Sequence, residues 1–412
     1  MSKVLIVGGG AAGLMAGYSA ACSGAEVTVL ERNTRPARKV MITGKGRCNV
    51  TNDTDLNGLI AAVTGNGRFL YSAFSNFTSE DTKAFFERLG VPLKTERGNR
   101  VFPESDKAVD IVDALVKAVK EVGVKILQER VTAVLTESGT VTGVKCESGK
   151  TYKADSVIVA TGGLSYPLTG STGDGYDIAK ALGHTVTDLR PSLVPVKVLE
   201  GWCSDVQGLS LKNIRVSVYK ENGTKPIYDD FGELMFTHYG LSGPVILSAS
   251  AYMSGPEKHE YKVVIDLKPA LSAEKLDERI LRDFEKYKNK DFINSLGDLL
   301  PRKLIPVVVK LSGIEPSDKV NQITREQRLR LAGVLKGLTL TVTGFCPIEE
   351  AIITKGGIVL SEVSPKTMES KLVSGLYFAG EVLDVDAFTG GFNLQIAFST
   401  GYAAGTAAGS IY

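Results

Sequence analysis

Gly8, Gly10, Gly13 and Glu31 are the residues whose spacing most directly implies chemistry. In the run Gly8-Gly9-Gly10-Ala11-Ala12-Gly13, the first glycine permits a tight turn, Gly10 lets the backbone approach a pyrophosphate, and Gly13 lets a helix pack closely on a strand. The N-terminus of that helix would offer free N–H groups to phosphate oxygens. Glu31, 21 residues beyond Gly10 and followed by Arg32, would accept hydrogen bonds from a ribose diol. The elements that must hold these groups are legible around them: a short apolar strand over 4–7, helix-forming residues over 14–23, and a second apolar strand over 25–30. Together they describe dinucleotide binding. An ordinary glycine-rich strand-to-helix turn would leave Glu31 without a role.

The far end of the chain selects the dinucleotide. Residues 375–381 read as a short strand ending in Gly380-Glu381, and Thr389-Gly390-Gly391-Phe392-Asn393-Leu394-Gln395 opens an apolar helix that ends near Gly409. In flavoproteins with two dinucleotide domains, a late strand delivers an acid to the ribityl chain and the next helix aims its N-terminus at the flavin pyrimidine ring. Reduced flavin carries negative charge there, which the positive end of a helix stabilises. The cofactor expected is therefore FAD, because an NAD-only enzyme has no use for this element. The usual acid is Asp, so Glu381 is a departure. A third buried strand, 155–159, runs into Ala160-Thr161-Gly162-Gly163, a small-residue turn of the type that passes beside the FAD pyrophosphate. Before it, 124–127, 131–136, 140–146 and 151–153 read as a small β-meander, with Val131 placed to clamp the adenine through its backbone. Replacing Glu31 by alanine is expected to lower FAD affinity with little effect on the fold.

Composition bounds the remaining possibilities. The 412 residues suffice for two or three domains, and 43% hydrophobic with 23% charged content is that of a soluble globular protein. Lys and Arg number 48 against 46 Asp and Glu, a net charge of +2 without a long single-sign block, so no nucleic-acid partner is expected. Residues 4–22 carry no charge and could pass for a signal peptide or membrane span, but the run contains five glycines, lacks a convincing cleavage site and is followed by a strand. It reads as a buried strand–helix unit. The apolar stretch 396–411 is laced with Ser, Thr, Tyr and Gly and reads as a helix packed within the protein. No membrane partner is expected. Cys22, Cys48, Cys146, Cys203 and Cys346 are odd in number and scattered, with neither a C-x-x-C pair nor metal-ligand spacing. They argue for a reduced, cytoplasmic protein without structural disulfides or a metal.

The most distinctive stretch is Arg38-Lys39-Val40-Met41-Ile42-Thr43-Gly44-Lys45-Gly46-Arg47-Cys48-Asn49-Val50-Thr51-Asn52. With the glycine turn before it and 389–395 near the end, it resembles the bacterial flavoproteins called BaiN-like or YhiN-like, also labelled aminoacetone-oxidase-like FAD-binding enzymes. The resemblance covers essentially the whole chain. It implies that Lys39 and Arg47-Cys48-Asn49, with Thr43, Gly44 and Gly46 of the same block, lie along the FAD near its ribityl and isoalloxazine portions. The best-defined activity it implies is reduction of conjugated double bonds in oxidised bile acids. Lys45 stands where most relatives carry a glycine, and either adds charge beside the cofactor or points to solvent. Cys48 has no neighbouring cysteine for a dithiol and reads as a small packed residue.

The expected architecture is α/β: a discontinuous Rossmann-type FAD domain (1–190 and 355–412) of the glutathione-reductase-like kind, an inserted β-rich domain (191–270 and 336–354) and a helical subdomain (271–335). Residues 339–345 and 349–354 read as strands on the way back to the FAD domain. Gly170-Ser171-Thr172-Gly173-Asp174-Gly175 follows no strand and reads as a loop before a helix over 176–182. No second strand–glycine–helix unit exists to bind NADH or NADPH, yet either can reduce a flavin by transient stacking. In the insertion, His238 or Tyr239 could donate the proton that accompanies hydride transfer to an enone. The alternative is a turn in which His238 satisfies buried backbone groups. His184 and His259 read as structural. The leading expectation is an FAD-dependent oxidoreductase reducing an activated carbon–carbon double bond. Its rivals are an amine or aminoketone oxidase using oxygen, an RNA-modifying flavoprotein, and a flavin-binding protein without turnover.

Overall fold

The computed structural model describes residues 1–410; Ile411, where the apolar C-terminal stretch was expected to end, and Tyr412 lie outside the described residues. The chain forms two compact units, Met1–Ser192 with Pro347–Tyr412, and Leu193–Cys346.

The first unit is built on β1 (Lys3–Val7), α1 (Ala11–Cys22), β2 (Glu26–Glu31), α2 (Arg38–Ile42), β3 (Lys125–Gln128), β4 (Ser156–Val159), α3 (Asp174–Ala181), β5 (Leu376–Phe378) and α4 (Phe392–Gly409). The strands make one parallel sheet in the order β5-β4-β1-β2-β3. β1 and β4 are almost wholly buried, as expected of parallel strands covered on both faces. A four-strand meander was expected, but 125–128 pairs in parallel with β2 instead, reached through the crossover helix Ala108–Glu121. Only Val131–Glu137, Thr140–Cys146 and Thr151–Lys153 form the antiparallel meander.

α1 and α4 carry no charged residue and are buried over most of their length, so each must be covered by its neighbours. They pack on each other through small residues. A Cβ on Gly401 would lie 2.4 Å from the Ala12 carbonyl oxygen, and one on Gly405 would lie 2.2 Å from that of Ala16. Beneath α4, the buried Gln395 amide binds Thr51, Thr82, Ser399 and the Phe77 carbonyl. That network leaves the side chain no freedom to turn elsewhere.

In the second unit, six strands close a barrel in the order 196–198, 240–242, 228–237, 210–220, 261–266, 338–345. Leu338–Phe345 completes it by pairing with both Tyr261–Asp266 and Val196–Val198. The helices Ala273–Lys286, Ile305–Ser312 and Arg325–Lys336 share one apolar core with the barrel, in which Leu276, Val308 and Leu335 meet Val263 and Ile265. The strand expected over 349–354 is shorter. Residues 348–350 turn as a 3-10 helix after Pro347, and only Ile353–Lys355 pairs, with Arg190–Ser192, inside the first unit. No helix among the described residues is long and apolar enough to cross a membrane.

His184 is buried, with Nδ1 3.0 Å from Glu362 Oε2 and Nε2 2.9 Å from Ser370 Oγ. Ser370 Oγ already accepts the N–H groups of Leu372 and Val373, so the hydroxyl proton points at His184 Nε2 and the neutral ring donates from Nδ1. Burial holds this imidazole below its ordinary value despite the Glu362 carboxylate. The folded state therefore binds this proton less readily than the unfolded chain, and stability present above about pH 6.5 is lost as the pH falls below it. The Glu362 carboxyl, held low by bonds from Thr185 and His184 against the opposing effect of burial, adds a further loss below about pH 4.5. We expect the drop in melting temperature from pH 7.5 to 5.5 to shrink in His184→Gln; an unchanged drop would assign the titration to another group.

Candidate functional site

A cavity lies wholly within the first unit, at the carboxyl ends of β1, β2, β4 and β5. Ligands of open parallel sheets bind in this location. Its wall contains Gly8, Gly10, Ala11, Ala12, Glu31, Arg32, Lys39, Thr43, Val131, Ala160, Thr161, Gly162, Gly380, Glu381, Asn393 and Leu394, all of them expected from the sequence.

Two helices end at this cavity. Leu14 N donates to Gly10 O at 2.9 Å and Gln395 N to Gly391 O at 3.1 Å, so the N–H groups of residues 11–13 in α1 and 392–394 in α4 have no acceptor within their helices. The turns before both helices need glycine. Gly8 (φ 101) would place a Cβ 2.6 Å from the Ala160 carbonyl oxygen, and Gly391 (φ 97) one 2.3 Å from that of Thr51. The Asn393 side chain clamps the approach to α4 by accepting from Ala387 N at 2.9 Å and donating to Ala387 O at 2.8 Å.

Glu31 is buried; Oε2 accepts from Gly9 N at 2.7 Å, and Oε1 from Asn33 N at 2.8 Å and Asn33 Nδ2 at 2.7 Å. The carboxylate thus organises the glycine turn as well as facing the cavity. We expect Glu31→Ala to weaken FAD binding by about 1.5–3 kcal/mol, the value of a charge-assisted bond, and also to destabilise the apoprotein by about 1–3 kcal/mol for the donors it strands. A fold left unaffected, as the sequence alone suggested, would mean that water replaces the carboxylate. FAD titration and melting of the apoprotein measure the two effects separately.

On the same wall, Glu381 Oε2 accepts from Lys39 Nζ at 2.7 Å, while Oε1 accepts from Thr354 N at 2.9 Å and Ser165 Oγ at 3.0 Å. This acid ties together α2, the segment after β4, strand 353–355 and the turn after β5.

The rest of the expected set lies off the cavity wall. Gly13 sits inside α1 against Gly8. Arg47 turns away: its Nε donates to Asp106 Oδ1 at 2.8 Å, its Nη2 pairs with Glu96, and the guanidinium lies 4.1 Å from the Phe102 ring centre. Two carboxylates and an aromatic face outcompete any neutral cofactor portion for this cation. Cys48 is fully buried and burial pushes its thiol up to about 12, which leaves it a packed residue with no thiolate character. Gly44, Lys45, Gly46 and Cys48 all have φ between 57° and 83°, left-handed positions interrupted by a right-handed Arg47, and Lys45 is exposed. Asn49 has a buried, unpartnered Oδ1. Gly391 and Phe392 flank the wall at the start of α4, and Gln395 faces the polar network beneath. His238 is exposed on the 237–240 hairpin turn of the barrel, its ring 4.8 Å from that of Tyr239. It is therefore not buried as a partner for backbone groups. His259 pairs with Glu221 at the surface.

The wall also includes residues that sequence reasoning missed: Asn33, Arg130, Thr169, Gly170, Ser171, Asp174, Ile352 and Val385. The adjacency of Asn33 to Glu31 was the one available signal. The donor set fits FAD. A Cβ on Gly10 would meet nothing within 4 Å, which leaves a phosphate-sized approach open, and the buried Thr161 Oγ1 on the wall lacks a partner. Residues of α1 and α2, Glu31 and Val131 would hold the adenosine diphosphate, and α4 the flavin.

The family described as HI0933-like protein Rossmann domain matches residues 2–407. The chain is 33% identical to the 3-dehydro-bile acid delta(4,6)-reductase of Clostridium scindens, over 99% of both chains. It is 31% identical to the ribosomal RNA dihydrouridine synthase of Escherichia coli, over 97% of this chain and 96% of that one. Its fold matches that of a 3-ketosteroid delta1-dehydrogenase from Sterolibacterium denitrificans with a TM-score of 0.54 at 13% identity, over 99% of this chain and 100% of that one. The chain belongs to the HI0933-like family and is an FAD-dependent oxidoreductase.

Proposed function

We propose that this protein uses NADH or NADPH to reduce a carbon–carbon double bond conjugated to a carbonyl, with a steroid-like dienone as substrate. The observation that carries the reading is end-to-end similarity to the Clostridium scindens reductase, joined to the N-terminus of α4 at the cavity wall. Bound FAD supplies transfer of a hydride to the terminal carbon of the conjugated system. The chain's own groups do the rest. The free N–H groups of α4 favour negative charge beside them, and Lys39, fixed by Glu381 and Ser165, keeps a cation on the wall. The proton that completes the reduction goes to the neighbouring carbon of the double bond being reduced, which is γ to the carbonyl when the hydride enters at the far end of a dienone.

The Escherichia coli relative supports a second reading of the same chemistry. The uracil C5–C6 double bond is conjugated to the C4 carbonyl, so hydride at C6 and a proton at C5 are the same reaction on a nucleobase.

Anaerobic reduction of the flavin by NADH or NADPH, followed by addition of a 3-oxo-4,6-diene bile acid or of unmodified ribosomal RNA, tests both readings. Flavin reoxidation by the dienone, with a product two hydrogens heavier, is the expected result. Reoxidation by RNA alone selects the second reading. Failure of both, with turnover of an amine under oxygen, overturns the reductase.

A further inference from the structure

Part of the cavity wall beside Glu31 comes from the segment that links β4 to α3 through a single 3-10 turn, Pro167–Thr169. Between β4 and α3 the backbone is left-handed at Gly162 (φ 75), Tyr166 (φ 53), Gly170 (φ 111) and Gly173 (φ 86), which folds it back on itself. This brings Thr169, Gly170, Ser171 and Asp174 into the wall beside Arg32 and Arg130. Four ties keep it there. Asn33 Nδ2 donates to Thr169 O at 3.0 Å, and Arg32 Nη1 donates to Thr172 Oγ1 at 2.5 Å. Thr172 Oγ1 donates to Asp174 Oδ1 at 2.9 Å. Arg130 makes the strongest tie, a two-pronged bond from Nε to Asp174 Oδ2 at 2.9 Å and from Nη2 to Oδ1 at 3.1 Å. Gly170, at φ 111, has a backbone that favours glycine, and an added Cβ would lie 2.6 Å from Asn33 Nδ2 and push against that tie.

We propose that Arg130 and Asp174 are positioning residues that latch this segment over the adenosine diphosphate half of the bound dinucleotide, setting how slowly it leaves. The inference rests on the reading that this cavity holds FAD with its adenosine at the Glu31 and Val131 end. Because their ion pair is made within the protein, the two residues act by keeping the segment closed. Their loss should therefore be felt by any ligand that contains adenosine diphosphate and by none that lacks it.

The test uses the holoenzyme for FAD release, followed by the rise in flavin fluorescence on dilution, and the apoprotein for titration with ADP alone and FMN alone. Asp174→Asn keeps the shape and removes the charge; Arg130→Lys keeps the charge and removes the fork. We expect FAD release about tenfold faster and ADP binding about tenfold weaker in Asp174→Asn, with smaller changes in the same sense in Arg130→Lys. FMN affinity and the flavin midpoint potential should stay at the wild-type values. Unchanged release and ADP affinity in both variants would overturn the latch. So would FMN affinity falling in step with ADP affinity, which would mark a general loosening. Wild-type protein that takes up neither FAD nor ADP would instead remove the cofactor reading beneath it.

Discussion

Replacing Gly13 by alanine should abolish FAD retention and lower the melting temperature, whereas the same change at Gly10 should weaken FAD binding and leave the apoprotein as stable as before. The two glycines belong to one motif but face different obstacles. An added Cβ at Gly13 would lie 1.9 Å from the Gly8 carbonyl oxygen and 3.3 Å from Ile6 Cγ2. The first of these is backbone, which cannot yield by a rotamer change, so α1 must lift from β1. Overpacking of this kind costs about 1–3 kcal/mol or more, which is several degrees of melting temperature for a unit of this size. It also tilts the free N–H groups of α1 away from the phosphates. At Gly10 the backbone is extended (φ −78°) and a Cβ meets nothing within 4 Å, so the folded apoprotein accepts it. The methyl then stands in the wall where a pyrophosphate would approach. Melting of the apoproteins and FAD titration separate the two outcomes. Equal FAD affinity in Gly13→Ala and wild type would show that α1 has slack which the Gly8 contact denies.

The glycine turn was legible because every signal for it is local: an apolar run, three glycines at fixed spacing and an acid at the end of the next strand. Long-range partners decided what could not be read. Strand 125–128 has the same apolar character whether it joins a meander or the parallel sheet, and its pairing with β2 depends on the crossover helix before it. Arg47 has the residue type of a cofactor ligand, but its partners Glu96 and Asp106 lie 49 and 59 residues away. Asp174 was read as part of a loop because Arg130, 44 residues earlier, carries no mark of belonging to it. Gln395 shows the same limit in reverse. It sits in the right turn of α4, yet Thr51 and Thr82 draw its side chain to the underside of the helix. Placement along the chain was therefore a good guide to which backbone reaches the cavity and a poor one to where polar side chains turn.

That α4 reaches the cavity at all depends on its ladder of glycines, and there two physical effects oppose each other. Gly401, Gly405 and Gly409 recur every fourth residue on the face toward α1, with added Cβ atoms 2.4, 2.2 and 2.6 Å from the carbonyl oxygens of Ala12, Ala16 and Ala20. Such a ridge lets the two helices approach closely and fixes the distance between their N-termini, one for the phosphates and one for the flavin. In Gly405→Ala, helix propensity alone would stabilise the protein by up to about 1 kcal/mol. The methyl, however, would also stand 2.1 Å from Ser19 Oγ, and forcing it in costs about 1–3 kcal/mol. Packing should win, so the melting temperature should fall. Gly333→Ala, in a helix where an added Cβ meets nothing within 4 Å, should raise it and serves as the control. The displaced α4 should also serve the reduced flavin less well. A helix terminus contributes up to about 2 kcal/mol when partly buried, so the midpoint potential should fall by up to roughly 40 mV, at about 30 mV per 1.4 kcal/mol for a two-electron couple. If Gly405→Ala stabilised the protein as Gly333→Ala does, and left the potential where it was, the ladder would not be what aims α4 at the cofactor.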